Sequence, residues 1–297
     1  MTGINALLQR RGVLLDGGMG SSLIAQGLTA GGCTELWNLQ HPDQVRAVHE
    51  GFLRAGSDVV QTNSFGGNAV GLSRHGAEDR LLELNMAAAR IAQQAVQVVG
   101  HGVVAGNIGP TGLFRPPVGT ATVEELHGAF AHQVVALLEG GVDYFSLETF
   151  SDLEEARIAI AAIRAVSELP ITACLTFDRK KRGFFTLMGD APASAFETLR
   201  AEGACAVGAN CSIGSEDLLA ATAEMVEAAP VPLILKPNAG LPEIRDGRAV
   251  YEQTPAEFAA DVAAMARQGA WAVGGCCGSD EHFIAALRVA LEGASLR

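Results

Sequence analysis

Three of the six cysteines stand in surroundings that suit a metal site. Cys211 and the adjacent pair Cys276 and Cys277 lie among glycines, which permit tight turns and a close approach of the backbone. Three thiolates suit Zn²⁺, which prefers soft ligands in tetrahedral geometry, and they leave a fourth position open for water or substrate. The alternative is that small cysteine side chains fill the core, which is our interpretation of Cys174 and Cys205. Spacing alone leaves both alternatives open for the trio.

Unusual polar residues stand at the ends of the short apolar runs of the chain. They are Asp16, Thr62, Asn63, Asn107, Glu148, Asn210, Lys236 and Asn238. If the runs are the parallel strands of a barrel, their carboxyl ends meet at one face, where such barrels carry their chemistry. We therefore expect these side chains to converge with the three cysteines, which also end predicted strands.

The elements that would position these residues alternate regularly along the chain. Short, mostly non-alternating apolar runs are typical of strands buried on both faces. They are Val13–Leu15, Asp58–Gln61, Val103–Gly106, Tyr144–Leu147, Ile171–Thr176, Ala206–Ala209, Leu233–Leu235 and Ala270–Gly274. Amphipathic helices are predicted at Pro42–Ala55, Glu78–Val99, Thr122–Glu139, Ser151–Val166, Ala191–Glu202, Ser215–Ala228, Pro255–Gln268 and Asp280–Leu291.

Eight strand–helix units in 297 residues predict an α/β fold, a single (β/α)8 TIM barrel. A doubly wound open sheet is the alternative. Thr122 stands three residues before Glu125, and Ser151 three before Glu154, and both pairs fit a capping box at a helix start. No linker or low-complexity segment divides the chain, so residues 1–297 are predicted to form one domain.

The composition argues against several classes of protein. Hydrophobic residues make up 48% and charged residues 18%, which is not the composition of a disordered chain. The 21 Lys and Arg against 33 Asp and Glu give a net charge of −12, so nucleic acid is not an expected partner. No apolar run is long enough to cross a bilayer and no secretion signal is visible, so we expect a cytoplasmic protein without membrane association. A disulfide framework is not expected in that compartment.

Seven short motifs together resemble the homocysteine S-methyltransferase family. They are D-G-G-M-G at 16–20, T-N-S-F at 62–65, N-I-G-P at 107–110, E-T at 148–149, G-A-N-C at 208–211, K-P-N-A-G at 236–240 and G-G-C-C-G at 274–278. That family includes betaine–homocysteine methyltransferase and the homocysteine domain of cobalamin-dependent methionine synthase. The resemblance runs from about Val13 to Leu287, and G-G-C-C-G is highly specific.

The resemblance implies a barrel that transfers a methyl group to the thiol of homocysteine, giving methionine. It implies that Cys211, Cys276 and Cys277 hold Zn²⁺, with the homocysteine sulfur as the fourth ligand. The chemistry agrees, because coordination deprotonates a thiol outright and the thiolate is the nucleophile. Zinc does not change its redox state, so the sulfur is activated without being oxidised.

The resemblance also implies that Asp16 and Glu148 bind the amino group of homocysteine. From the residues alone, Asp16 could instead form a turn, and Glu148 could cap the helix that begins near Ser151. Gly17, Thr62 and Asn63 are expected to contact the substrate carboxylate. Asn210, Lys236 and Asn238 are interpreted as support for the zinc ligands or the barrel mouth.

The methyl donor is inferred from residues that the chain lacks. Betaine is held by aromatic cages through cation–π attraction, and betaine-using relatives carry tyrosines where this chain has Gly66 and Thr149. Relatives that use S-methylmethionine commonly place a larger polar residue where this chain has Gly278. A methylated corrinoid on a separate partner protein is therefore the expected donor.

Two other classes of function stay open from the sequence. One is a zinc-binding barrel without transferase activity, acting as a metal store or a regulatory subunit. The other is a lyase or aldolase barrel in which Lys236 forms a Schiff base and the cysteines are structural. Neither explains Asp16, Glu148 and the three cysteines together.

Overall fold

Eight parallel strands form one sheet in the computed structural model, which describes residues 3–245 and 248–292. The strands are β1 (Val13–Leu14), β2 (Val59–Gln61), β3 (Val103–Ile108), β4 (Tyr144–Phe150), β5 (Ile171–Leu175), β6 (Ala206–Gly214), β7 (Leu233–Asn238) and β8 (Ala272–Val273). Their order in the sheet is β1, β8, β7, β6, β5, β4, β3, β2, so the strands from β2 to β8 pair with their neighbours in the sequence, β8 pairs with β1, and β1 and β2 form the two edges. The sheet is nearly closed into a barrel, which confirms the predicted TIM-barrel architecture and not the open alternative.

Side-chain carboxylates complete the seam between β1 and β2. The backbone amide of Asp58 donates to the Leu14 carbonyl at 2.7 Å, and the Leu14 amide donates to Asp58 Oδ2 at 2.9 Å. At the other end of the seam, the Gln61 amide donates to Asp16 Oδ2 at 2.6 Å. One carboxylate oxygen of Asp16 therefore forms a hydrogen bond that helps to close the barrel.

Within the described residues, eight long helices surround the sheet, each following its strand. They are α1 (Pro42–Arg54), α2 (Leu81–Val99), α3 (Val123–Gly140), α4 (Leu153–Arg164), α5 (Pro192–Ala201), α6 (Ser215–Ala228), α7 (Pro255–Gln268) and α8 (Glu281–Glu292). Thr122 and Glu125 form the predicted capping box of α3. The capping box predicted at Ser151 is wrong, because the N-cap of α4 is Asp152, whose side chain accepts from the Glu154 amide. The carboxylate of Asp152 reaches the second helical residue, so the helix begins one residue later than expected.

The sequence did not predict several short elements, most of which lie in the loops of the barrel. In the part of the chain that the structure describes, short helices span Ile4–Leu7, Met19–Ala25, Trp37–Gln40 and Ala69–Ser73, and a 3₁₀ turn spans Glu78–Arg80. Asp178–Lys180 pairs antiparallel with Gly183–Phe185 after β5, and Glu243–Arg245 pairs with Arg248–Val250 after β7. These hairpins extend the loops at the carboxyl face of the barrel.

Two large clusters make up most of the apolar core. The larger part lies between the sheet and the helices, and includes Phe130, Phe145 and Phe258. A second cluster fills the amino end of the barrel interior, where Trp271 Nε1 donates to the Leu7 carbonyl at 3.1 Å. Together they leave the carboxyl end of the interior to polar side chains.

Among the described residues, no helix combines the length and the apolar character needed to cross a bilayer. The predictions of a cytoplasmic location and of one domain over residues 1–297 stay predictions.

Candidate active site

A layer of polar side chains crosses the barrel interior at the carboxyl ends of the strands. Lys236, only 2% exposed, is at its centre. Its Nζ donates to Glu148 Oε1 at 2.8 Å, to Asp16 Oδ1 at 3.2 Å and to the side-chain oxygen of Gln61. Gln61 Nε2 in turn donates to Ser146 Oγ at 2.9 Å. The interior of a TIM barrel is usually filled with apolar side chains. A buried network of polar side chains there therefore indicates a functional site.

The charges in this layer compensate one another in part. Burial alone would lower the pKa of Lys236, but the carboxylates of Glu148 and Asp16 outweigh it and hold the pKa well above its usual value. Burial raises the pKa of Asp16 to about 6, against the opposing attraction of Lys236. At neutral pH the layer therefore contains a protonated lysine between two carboxylates. Such a lysine is not a nucleophile.

The three predicted cysteines come together beside this layer. Their sulfurs all lie within 4.8 Å of one another, and Cys211 Sγ is 3.9 Å from Cys277 Sγ. Each of the three side chains is half-buried. The remaining cysteines lie elsewhere, since Cys174 belongs to the core at the amino end of the barrel and Cys33 Sγ donates to Glu35 Oε2 at 3.3 Å.

Irregular backbone places Glu148 and Cys211 at the ends of their strands. The β4–β5 register shifts between Leu147 and Phe150, and the β6–β7 register shifts between Asn210 and Gly214. The three non-glycine residues with positive φ lie in these two irregularities, among the described residues: Thr149 at 64°, Cys211 at 59° and Ser212 at 54°. Bulges commonly re-aim side chains next to active sites, and strain of this kind persists only where neighbours hold it.

Asn210 holds both irregularities together. Its Oδ1 accepts from the Thr149 amide at 2.8 Å, and its Nδ2 donates to Thr149 Oγ1 at 2.8 Å. The same Nδ2 lies 3.8 Å from Cys276 Sγ, within reach of a weak hydrogen bond to sulfur. Asn238 Oδ1 accepts from the Cys277 amide at 3.1 Å. These contacts agree with the supporting role predicted for both asparagines.

Tyr251 packs against the paired cysteines from the segment that follows the second hairpin. Its side chain lies close enough to Cys277 to interact with that thiol, and burial raises the pKa of the tyrosine well above its usual value, so the hydroxyl stays protonated. Its ring also covers Gly278, where an added Cβ would lie 2.3 Å from the ring carbon Cγ. Gly278 has a φ of 84°, so both the space and the backbone conformation require glycine.

A cavity of about 310 Å³ joins the polar layer to the cysteines. All eight predicted site residues line it: Asp16, Gly17, Thr62, Asn63, Glu148, Cys211, Cys276 and Cys277. The side chains of Thr62 and Asn63 are already engaged, because Thr62 Oγ1 accepts from the Asn107 amide at 2.9 Å and Asn63 Nδ2 donates to the Thr34 carbonyl at 2.7 Å. A ligand would therefore have to contact other atoms of Thr62 and Asn63 than the two that form these hydrogen bonds.

Sequence reasoning missed three features of this site. Lys236 is the partner of both acidic residues, Gln61 belongs to the same layer, and Tyr251 contacts Cys277. The signal for Gln61 was present, since it is a polar residue inside a short apolar strand. No comparable signal marked Tyr251, because the position of a loop residue depends on the path of the hairpin before it.

Two curated relatives, both named methionine synthase, match nearly the whole chain. The protein of Mycobacterium tuberculosis is 30% identical over 289 residues, and that of Mycobacterium leprae is 28% identical over 293 residues, covering 92% and 93% of this chain. The chain spans about a quarter (24%) of the length of each relative.

Solved structures of the homocysteine methyltransferase MmuM from Escherichia coli share the fold. The metallated form superposes with a TM-score of 0.80, covering 96% of this chain and 99% of that chain, and the oxidized form with 0.79, covering 97% and 99%. Both are 24% identical to this chain, so the likeness concerns the fold alone. The model of the homocysteine S-methyltransferase family matches residues 13–291, and the chain therefore belongs to that family.

Proposed function

We propose that this protein is a zinc-dependent methyltransferase that moves a methyl group to the thiol of homocysteine, giving methionine. The observation that carries the proposal is one cavity lined both by three clustered thiols and by two acidic residues. The thiols provide a place for the reacting sulfur, and the acids provide a place for the ammonium group of an amino acid. The names of the methionine synthase relatives agree with this product.

The cysteine cluster fits zinc in ligand type and in spacing. Tetrahedral zinc–thiolate bonds of about 2.3 Å place two sulfurs about 3.8 Å apart. The separation of 3.9 Å between Cys211 and Cys277 is close to that value. Bound there by Cys211, Cys276 and Cys277, zinc would keep the homocysteine sulfur deprotonated and able to attack a methyl group.

Residues of the chain would hold the substrate and the ligands in place. We infer that Glu148 and Asp16 receive the ammonium group, and that Gly17, Thr62 and Asn63 contact the carboxylate. Asn210 and Tyr251, which approach the sulfurs of Cys276 and Cys277, would fix the orientation of those ligands.

A methylated corrinoid on a separate protein is the donor that the cavity favours. Of the described residues that line the cavity, Phe65 alone is aromatic, whereas a cage for betaine needs several rings. Gly66 also leaves little room for a ring, because its amide donates to Glu35 Oε1 at 2.7 Å and an added Cβ would lie 3.2 Å from that oxygen. S-Methylmethionine and betaine remain the alternative donors.

The two other functions considered from the sequence have less support. A Schiff-base lyase requires a neutral lysine, but Lys236 is buried between two carboxylates that keep it protonated. A zinc-binding barrel without catalysis would need no cavity that joins the thiols to the acidic pair.

A donor screen tests the proposal. The zinc-loaded protein is incubated with homocysteine and, in turn, methylcobalamin, betaine and S-methylmethionine, and methionine is quantified. We expect turnover with methylcobalamin that is lost on zinc removal, and little with betaine. Faster turnover with betaine would contradict the donor assignment, and no methionine with any donor or with a methylated corrinoid protein would contradict the transferase assignment.

A further inference from the structure

We propose that Lys236 sets the net charge of the amino-acid pocket at minus one, which makes the pocket selective for thiols that carry one ammonium group. The inference rests on the proposed function, because it takes Asp16 and Glu148 as the groups that receive the substrate ammonium. Lys236 would then be a specificity-determining residue that acts through these two carboxylates.

The geometry of the polar layer gives the charge count. Lys236 Nζ donates its three N–H groups to Asp16 at 3.2 Å, to Glu148 at 2.8 Å and to the side-chain oxygen of Gln61. Gln61 is neutral, as are its partner Ser146 and the Thr172 hydroxyl that donates to Ser146 at 3.2 Å. Two carboxylates and one ammonium group therefore leave one negative charge in excess.

Two buried titratable groups behind the layer do not change this count. Tyr144 on β4 is fully buried, and that burial raises its pKa well above the usual value, so it is neutral. Cys174 on β5 is neutral for the same reason. Both lie toward the amino end of the barrel, away from the cavity.

The excess charge faces the cavity at Glu148. Asp16 Oδ2 accepts from the Gln61 amide and Asp16 Oδ1 accepts from Lys236, so both oxygens already have a partner. Glu148 Oε1 accepts from Lys236, whereas no described residue donates to Glu148 Oε2, and Glu148 lines the cavity. A substrate ammonium group would therefore complete the coordination of this second oxygen.

The net charge of the pocket matters because a pocket with a different net charge would select a different ligand. Two carboxylates without Lys236 would repel one another and take up a proton or a further cation. A single carboxylate paired with Lys236 would be neutral and would have little preference for an ammonium group. Only the observed set combines one excess negative charge with two carboxylates held in place.

The test compares homocysteine with 4-mercaptobutanoate, which has the same chain without the amino group. Calorimetry on the zinc-loaded protein gives a dissociation constant for each ligand, and their ratio measures the preference for the ammonium group. In Glu148→Gln the net charge is zero, and we expect the ratio to fall toward one. When the titration is done at pH 8, well above the pKa of about 6 that burial gives Asp16 beside Lys236, adding Lys236→Met leaves a charge of minus one on Asp16. We expect the ratio then to recover by about tenfold, the scale of one unit charge at this distance.

The double variant removes Lys236 together with Glu148, its nearer partner, so only Asp16 loses a charged partner, and the Gln61 amide still donates to that carboxylate. A double variant with the same ratio as Glu148→Gln would overturn the proposal. If the double variant fails to fold by circular dichroism, Lys236→Met and Lys236→Gln alone decide, since a ratio below that of the wild type in either would also overturn it. A zinc-loaded wild type that binds neither ligand would instead contradict the proposed function itself.

Discussion

Replacing one cysteine of the cluster by serine is the most direct test of the metal site. Serine keeps the shape of Cys277 but substitutes a neutral hydroxyl for a thiolate, in a cluster whose sulfurs lie within 4.8 Å of one another. Zinc bound by four protein ligands is worth about 10–16 kcal/mol at neutral pH, or about 3 kcal/mol for each ligand. We therefore expect the loss of one thiolate to weaken zinc binding by about 100-fold or more.

Zinc affinity is measured by competition with a chromophoric chelator, and zinc content by elemental analysis. Cys205→Ser is the matched control, because Cys205 is also partly buried but lies outside the cluster. The core does not involve the cluster, so far-UV circular dichroism should be the same for every variant and for metal-free protein. A full zinc complement in the triple variant of Cys211, Cys276 and Cys277 would refute the assignment.

Three further predictions concern the substrate pocket and the fold. Glu148→Gln should weaken homocysteine binding by about 1.5–3 kcal/mol, the scale of a charge-assisted hydrogen bond, and Asp16→Asn should act in the same direction. If calorimetry finds the same homocysteine affinity in both variants as in the wild type, the amino-acid pocket lies elsewhere. Burial lowers the pKa of His49 to about 4, because the folded protein disfavours the charged imidazole. The free energy of unfolding is therefore unaffected by this group above pH 6.5, and it decreases by about 3 kcal/mol as the pH falls toward 4. Urea unfolding at pH 7 and pH 4.5 should show this loss in the wild type and a smaller one in His49→Leu, and equal losses would contradict it. Gly278→Ala places a Cβ 2.3 Å from the ring of Tyr251, and we expect the free energy of unfolding to decrease by about 1–3 kcal/mol and zinc binding to weaken. An unchanged melting temperature would instead show that the ring moves freely.

The barrel was predictable because its signals are local. Strands buried on both faces appear as short apolar runs, and each helix shows its own period, so the eight units were placed within a few residues. The extent of β6 was not predictable, since the strand continues from Ala206 to Gly214 through two residues with positive φ. Apolar periodicity ends where such a bulge begins, and the predicted strand therefore stopped at Ala209.

The clustering of polar residues was predictable, but their pairing was not. Parallel strands bring their carboxyl ends to one face, which was enough to expect Asp16, Glu148, Lys236 and the cysteines together. Which side chain meets which depends on the register of strands far apart in the sequence. Lys236 was interpreted as general support, whereas the structure pairs it with both acidic residues.

The spacing between the amino-acid pocket and the cysteine cluster depends on few contacts. Glu148 immediately precedes Thr149, and Asn210 immediately precedes Cys211. The reciprocal hydrogen bonds between Thr149 and Asn210, both 2.8 Å, therefore tie the acidic residue of one strand to a thiol of another. In a reaction that requires the substrate sulfur and the substrate ammonium group to be held at once, a displacement of about 1 Å between the two halves costs a large part of the rate. The proposed function would thus account for the strained backbone at Thr149 and Cys211, because it places both groups on one cavity and Asn210 links the two strand ends.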